Sequence, residues 1–203
     1  MSVESVSYYE DFNEIEKKLW SLLIRAVNDR NSEFRTPVFI CGGNNNLDGR
    51  VVVLRKVDEK NISLQFHSDI RSTKIDIIKK NPNSSLLFYG KKEKIQLRMK
   101  VESNLHYNDE ITKESWNKTG HISRKCYLVT DGPGTKSEKP TSGLNNKFDN
   151  FDFTKEESEE GYKNFCVIKC KIKSIEWLYL AAKGHRRALI EFQGSKKFTW
   201  LIP

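Results

Sequence analysis

The chain contains no run of about 18 apolar residues, so no segment is expected to cross a membrane as a helix. Its opening residues, Met1 to Glu10, are polar and acidic, so no secretory leader is expected. The four cysteines (Cys41, Cys126, Cys166 and Cys170) show neither Cys-x-x-Cys nor zinc-ligand spacing and read as small thiols, those at 166 and 170 within an apolar stretch. His67, His106 and His121 have no partners at metal-ligand spacing, so no metal site is expected. Ser68 and Ser72 lie in no nucleophile-elbow motif and beside no His–acid pair, which argues against a hydrolase triad. Basic residues outnumber acidic ones 35 to 27, a net charge of +8, yet they form no dedicated basic arm. The excess favours anionic partners, such as phosphorylated metabolites, nucleic acid or an acidic membrane surface, while the interspersed acidic residues argue against a nucleic-acid or anionic-surface binder.

What is present is a β-rich pattern with enough aromatic mass (4 Trp, 7 Tyr and 11 Phe in 203 residues) to fill a core. Residues 1–203 read as a single domain, mainly β with peripheral α. Phe12, Ile15, Leu19, Leu22, Leu23 and Ala26 recur at helical spacing, which predicts an N-terminal helix over about 8–29. Strands are expected at 36–41, 50–57, 62–67, 84–89, 94–106, 162–172, 175–180, 186–192 and 198–201. Turn residues at 42–46, 58–61 and 90–92 separate the earlier ones. A helix at about 69–80 ends at Asn81-Pro82, because a residue before proline avoids helical dihedrals. Another is expected from Asp109 to about Trp116. Residues 131–160 form a long polar loop, either functional or mobile. Many antiparallel strands with few helices suggest a barrel.

The most informative stretch is Phe66-His67-Ser68-Asp69-Ile70-Arg71-Ser72-Thr73-Lys74, where a strand gives way to a helix. A helix start offers free N–H groups and positive potential. Ser68 or Asp69 would cap it, and Arg71 and Lys74 add charge that helps an anion more than it helps the helix. Upstream, Arg50-Val51-Val52-Val53-Leu54-Arg55 sets a cation at each end of a β-branched strand. Alternation sends the two arginines to opposite faces, so both reach one ligand only around a strand edge or at a dimer seam. Gln96 and Arg98 share a face, and the amide of Gln96 is suited to an imide edge such as a flavin's. Trp177 to Arg187 combines aromatic surface with Lys183, His185, Arg186 and Arg187. His185 reads as a surface group or phosphate donor ahead of a proton-transfer group.

In order and spacing, R-V-V-V-L-R (50–55), F-H-S-D-I-R-S-T-K (66–74), N-P (81–82), Q-L-R (96–98) and W-x9-R (177–187) resemble pyridoxamine 5'-phosphate oxidase and its relatives. These are FMN-binding split β-barrels. The ending W-L-Y-L-A-A-K-G-H-R-R…W-L-I-P, with S-R-K-C-Y-L and G-P-G-T before it, looks like a branch whose substrates are mostly undefined. The resemblance implies a cytoplasmic homodimer with FMN at the subunit seam, small enough for passive nuclear entry. It implies that Arg50, Val51, Val52, Val53, Leu54 and Arg55 line the cofactor, that His67 and Ser68 contact it, and that Lys74 binds its phosphate with Arg71, Ser72 and Thr73 around it. Gln96 would meet the flavin ring, and Trp177 and Arg187 would approach from the partner chain. Arg55, Lys183 and His185 match the family's substrate contacts.

Two departures bear on activity. Thr73 stands where the oxidases usually carry an arginine, with Arg71 as a substitute charge. Lys183 replaces an arginine and cannot make its planar two-point contact. The resemblance therefore implies an FMN-dependent oxidoreductase acting on a small, vitamin B6-like phosphate; the alternative is a non-catalytic FMN-binding sensor, store or regulator. No catalytic residue of the protein is assigned, because flavin carries the redox chemistry.

Overall fold

The computed structural model describes residues 7–43, 46–150 and 153–203. A short 3-10 turn (Ser7–Glu10) leads into α1 (Phe12–Asn28), so the expected helix over 8–29 is broken at Asp11. The reason is a cap: the Asp11 carboxylate accepts the N–H groups of Asn13 and Glu14 at 2.8 and 3.0 Å. The apolar stripe of α1 buries Ile15, Leu19, Leu22, Leu23 and Ala26, and the helix lies against the third strand.

Among the described residues nine strands follow: β1 (Val38–Gly43), β2 (Asn46–Val51), β3 (Leu54–Asp58), β4 (Ser63–Asp69), β5 (Asn83–Gly90), β6 (Ile95–His106), β7 (Phe165–Tyr179), β8 (Arg186–Glu191) and β9 (Lys197–Leu201). Four further helices interrupt them: α2 (Thr73–Lys80), α3 (Glu110–Asn117), α4 (His121–Arg124) and α5 (Asn146–Asp149). The sheet runs β2-β1-β5-β6-β7-β4-β3, all antiparallel. Its two end strands, β2 and β3, are joined by only Val52 and Val53. A sheet whose edges are tied by two residues must curl until they meet, which makes it a barrel.

This link corrects the expectation of one strand over 50–57. The Val52 N–H leaves the ladder for the Pro37 carbonyl (3.0 Å), and a β-bulge follows between Leu54 and Lys56. The strands expected at 162–172 and 175–180 are instead one strand of 15 residues, β7. One side of β7 pairs with β6. Its other side divides, with Phe165 to Lys171 against β4 and Ser174 to Tyr179 against β8. That division is the split in the barrel. The core includes Phe39, Leu54, Phe66, Phe88, Leu97, Ile168, Ile175, Trp177 and Ile190. A smaller cluster of Trp116, Tyr127, Phe165 and Val167 seats α3 and the 3-10 turn after α4 on the sheet. The polar loop expected over 131–160 contains α5 and the start of a 3-10 turn, Glu157–Asn164; the expected turn residues Asn44 and Asn45 lie outside the described residues.

Candidate functional site

At the C-terminal end of β4 the chain turns into α2 and forms a small polar recess. Lys74, in the first turn of α2, points back into the barrel wall and is only 8% exposed. Its Nζ donates to Ser68 Oγ at 2.9 Å and to Ser72 Oγ at 2.7 Å. Among the described residues no carboxylate forms an ion pair with it. Arg50, on β2, reaches the same place: its Nη1 donates to Ser72 Oγ at 3.2 Å, and Asp48 pairs with its Nη2. Arg50 Nε is buried without a hydrogen-bond partner among the described residues. Burial, and then the neighbouring Arg50, hold the Lys74 ammonium below its ordinary pKa. Asp48, paired with Arg50, offsets these effects only in part.

The N-cap of α2 is Ser72, not Ser68 or Asp69 as expected, and its hydroxyl accepts no backbone N–H because it accepts from Lys74 and Arg50 instead. Arg71 is also corrected. Its guanidinium makes a fork with Asp69 (Nε to Oδ1 3.0 Å, Nη2 to Oδ2 2.7 Å) and donates to the carbonyls of Val129 and Thr130 at 3.0–3.2 Å. The bond to Asp69 raises its pKa. Arg71 therefore fastens the loop after α4, and a Cβ on Gly132 would come within 3.0 Å of its own Cβ. It has no free fork for a phosphate. Thr73 begins α2 beside this recess, and Cys41 and Cys166 flank it as thiols, the latter pushed up to about 12 by burial.

On the opposite face of β4, beneath α3 and α4, lies a cavity of about 530 Å³ whose lining includes Arg55, Gln65, His67, Ser123 and Lys169. Strand alternation places His67 and Gln65 there while Ser68 faces the recess. Burial and the nearby Arg55 depress the His67 pKa to about 3, so its imidazole is neutral at physiological pH. The Phe165 ring meets it edge-on, centroids 4.8 Å apart. Arg50 and Arg55 thus do face different sites, on either side of the Val52 and Val53 link.

The remaining expected residues lie elsewhere in the same chain. Gln96 pairs with Leu178, and Leu178 with Arg187, so these three form one row on the outer face of β6, β7 and β8. Trp177 pairs with Ala188 and faces inward, 1% exposed, with Tyr9 and Tyr179 beside it. The W-x9-R spacing therefore puts its tryptophan and arginine on opposite faces, and Trp177 is a core residue. Lys183 and His185 occupy the exposed β7–β8 turn, where His185 Nδ1 accepts the Ala181 N–H at 3.1 Å. Ser68 is registered with Cys166, whereas Leu178 lies twelve residues farther along β7, roughly 40 Å of strand. Lys74 and the Gln96–Arg187 row thus lie toward opposite ends of β7.

Sequence reasoning missed Gln65, Lys169, Cys41 and Cys166. Gln65 could have been found from its two-residue offset from His67; the other three come from strands paired over long range. Among the described residues no cluster of His, Cys, Asp or Glu could hold a metal, and no helix is long and apolar enough to cross a membrane.

The fold is that of the FMN-binding split barrels related to pyridoxamine 5'-phosphate oxidase. Among solved structures, the chain is similar to a pyridoxamine 5'-phosphate oxidase-related, FMN-binding protein from Nostoc punctiforme PCC 73102, with TM-score 0.74 and 18% identity over 92% of this chain and 97% of that one. It is also similar to PhzG from Burkholderia lata 383, solved with tetrahydrophenazine-1-carboxylic acid (TM-score 0.70, 13% identity, 100% and 99% covered). ChuZ from Campylobacter jejuni shares the fold more loosely (TM-score 0.53, 13% identity, 93% and 63% covered). No family model matches the chain, and no curated protein matches it. At these identities the likeness establishes the fold alone.

Proposed function

We propose that this protein binds FMN as a homodimer and is a flavin-dependent oxidoreductase acting on a small anionic substrate, with a vitamin B6-like phosphate the first candidate. The observation that carries the reading is the Lys74 recess: a buried ammonium held only by hydroxyls, with Arg50 Nε left unpartnered beside it. Those donors fit a phosphate monoester, which offers several acceptor oxygens and up to two negative charges. Lys74, Arg50, Ser68 and Ser72 would hold the phosphate, and Thr73 would add its N–H and hydroxyl at the helix start.

The dimer follows from reach. A second copy would bring Gln96 and Arg187 to the ring of a cofactor whose phosphate sits at Lys74, residues that lie toward the other end of β7 in its own chain. The outer sheet face suits such a partner. It carries two adjoining grooves of about 580 and 460 Å³, which share Ile40, Ser85, Lys100, Ser174 and Glu191, and exposed Leu47, Val51 and Tyr89 lie on the same strands.

Bound FMN would supply two-electron redox chemistry. The protein's part is to bind, orient and screen. Arg55 and Lys169 would draw an anionic substrate to the cavity. His67, kept neutral, would offer a hydrogen bond without adding charge. The four free cysteines favour a reducing compartment, the cytoplasm.

A second reading, FMN binding without turnover, is favoured by one observation: Lys183 and His185 sit in an exposed turn that His185 itself helps to build. The test is the purified protein's visible spectrum, followed by pyridoxine phosphate and pyridoxamine phosphate added without air. Bleaching of the flavin supports the oxidoreductase reading. A yellow protein that neither compound bleaches leaves the non-catalytic reading, and a protein that takes up no FMN removes both.

A further inference from the structure

On the outer face of β6, β7 and β8, one sheltered carboxylate holds two guanidinium groups from the strands on either side. Glu176, on β7, is registered with Arg98 on β6, and its Oε2 accepts Arg98 Nη2 at 2.6 Å. Its Oε1 accepts Arg187 Nε at 3.0 Å and lies 2.8 Å from Arg187 Nη2, across on β8. The Glu176 side chain is 15% exposed, against 54% for Arg98 and 27% for Arg187. The carboxylate is thus the covered centre of the group and the arginines form its outer layer. Hydrogen bonds and the two positive charges hold its pKa below the ordinary range despite burial, so it stays ionised.

The arrangement leaves donors unspent. Among the described residues, Arg187 Nη1 and both Nε and Nη1 of Arg98 make no hydrogen bond. The triad carries a net charge of one positive. In the next row Lys100 and Glu191 balance each other, and in the row on the other side Gln96 is uncharged. Partly exposed ion pairs of this kind contribute little to stability. Beyond any stability the network adds, fixing two arginines on one glutamate gives a group with defined direction and defined charge.

We infer that Glu176 is a positioning residue: it aims Arg187 and Arg98 off the sheet face toward the anionic ring edge of a flavin held by the second copy, and it sets the charge that ring feels. This rests on the FMN reading above. Without the carboxylate, both guanidinium groups lose their orientation and the local charge rises from one positive to two. The first change weakens oxidised FMN. The second favours the reduced ring, which carries negative charge, over the oxidised one.

The experiment compares wild type, Glu176→Gln, Glu176→Asp and Arg187→Gln, each loaded with FMN, by flavin fluorescence titration and spectroelectrochemistry. Glu176→Gln is isosteric and lies on an outer face, so it is expected to fold. Its FMN dissociation constant should rise about fivefold. Its affinity ratio of reduced to oxidised flavin should rise about tenfold, a midpoint potential about 30 mV more positive. Glu176→Asp should restore the ratio to within about threefold of wild type. Arg187→Gln, which removes positive charge, should shift the potential in the opposite direction and carries the test if Glu176→Gln does not fold. A merely structural carboxylate would lower the unfolding midpoint and leave the potential in place. Wild type that binds FMN, with both Gln variants changing the affinity ratio less than about twofold, overturns this inference alone. Wild type that takes up no FMN overturns the FMN reading and this inference with it.

Discussion

Acid should destabilise this protein through a single imidazole. His67 has an unfolded reference pKa of 6.5, and in the folded chain burial and Arg55 depress it to about 3. Below pH 6.5 the unfolded chain therefore takes a proton that the folded chain refuses. Stability is full above that value and falls as pH drops toward 3. At pH 5.0 the loss works out to about 2 kcal/mol, and the whole shift is worth at most about 5 kcal/mol near pH 3. The carboxylates held low by partners, such as Asp109, Glu159 and Glu176, give up their contributions only at lower pH, so a reading at pH 5.0 isolates the histidine. Phe is a suitable replacement because an aromatic ring preserves the contact with Phe165. Urea unfolding of wild type and His67→Phe at pH 7.5 and pH 5.0 is the assay. Wild type should lose about 2 kcal/mol more than the variant between the two conditions, the other histidines cancelling in the difference. Equal losses would mean that His67 is better solvated than its partial burial and the nearby Arg55 imply, and would remove the case for a neutral imidazole in the cavity.

Replacing Lys74 with Met removes a buried cation that has no carboxylate partner. The ligand-free protein should be as stable as wild type or about 1 kcal/mol more stable by urea unfolding, while FMN affinity falls by about 2–3 kcal/mol in calorimetry. Loss of stability together with undiminished FMN binding would assign Lys74 a structural role only. Arg71→Ala strands the buried Asp69 carboxylate and frees the Val129 and Thr130 carbonyls, which should cost about 2–3 kcal/mol, less than a fully buried pair because Arg71 is partly exposed. The same change should speed proteolysis within 131–145 and shift FMN affinity less than twofold. A large affinity loss would return Arg71 to the phosphate site.

Features fixed by local chemistry were legible in the sequence. The stripe of α1, the Asp109 helix start and the alternation of β5 and β6 each depend on neighbours within a turn or a hairpin. So does the clustering of Ser68, Ser72 and Lys74, which lie within seven consecutive residues. What failed depends on closure of the sheet. The run Val51-Val52-Val53-Leu54 has uniform β character, and it breaks because the barrel's two edges meet there. The strands expected at 162–172 and 175–180 left a break at 173–174, yet β7 runs through it because β4 and β8 divide its far edge. Arg71 looked like a phosphate ligand until Asp69, two residues earlier, and carbonyls nearly sixty residues later claimed its donors. The resemblance assigns Trp177 and Arg187 to one site, but the hairpin register shows that they face opposite ways.

The central claim is that Lys74, Arg50, Ser68 and Ser72 form a seat for the phosphate of FMN. Calorimetric titration of the ligand-free protein with FMN and with riboflavin, which lacks only the phosphate, tests it most directly. The account predicts that FMN binds at least about 100-fold more tightly, close to 3 kcal/mol, and that Lys74→Met removes most of that advantage. Equal affinity for the two compounds, or no binding of FMN, would contradict it.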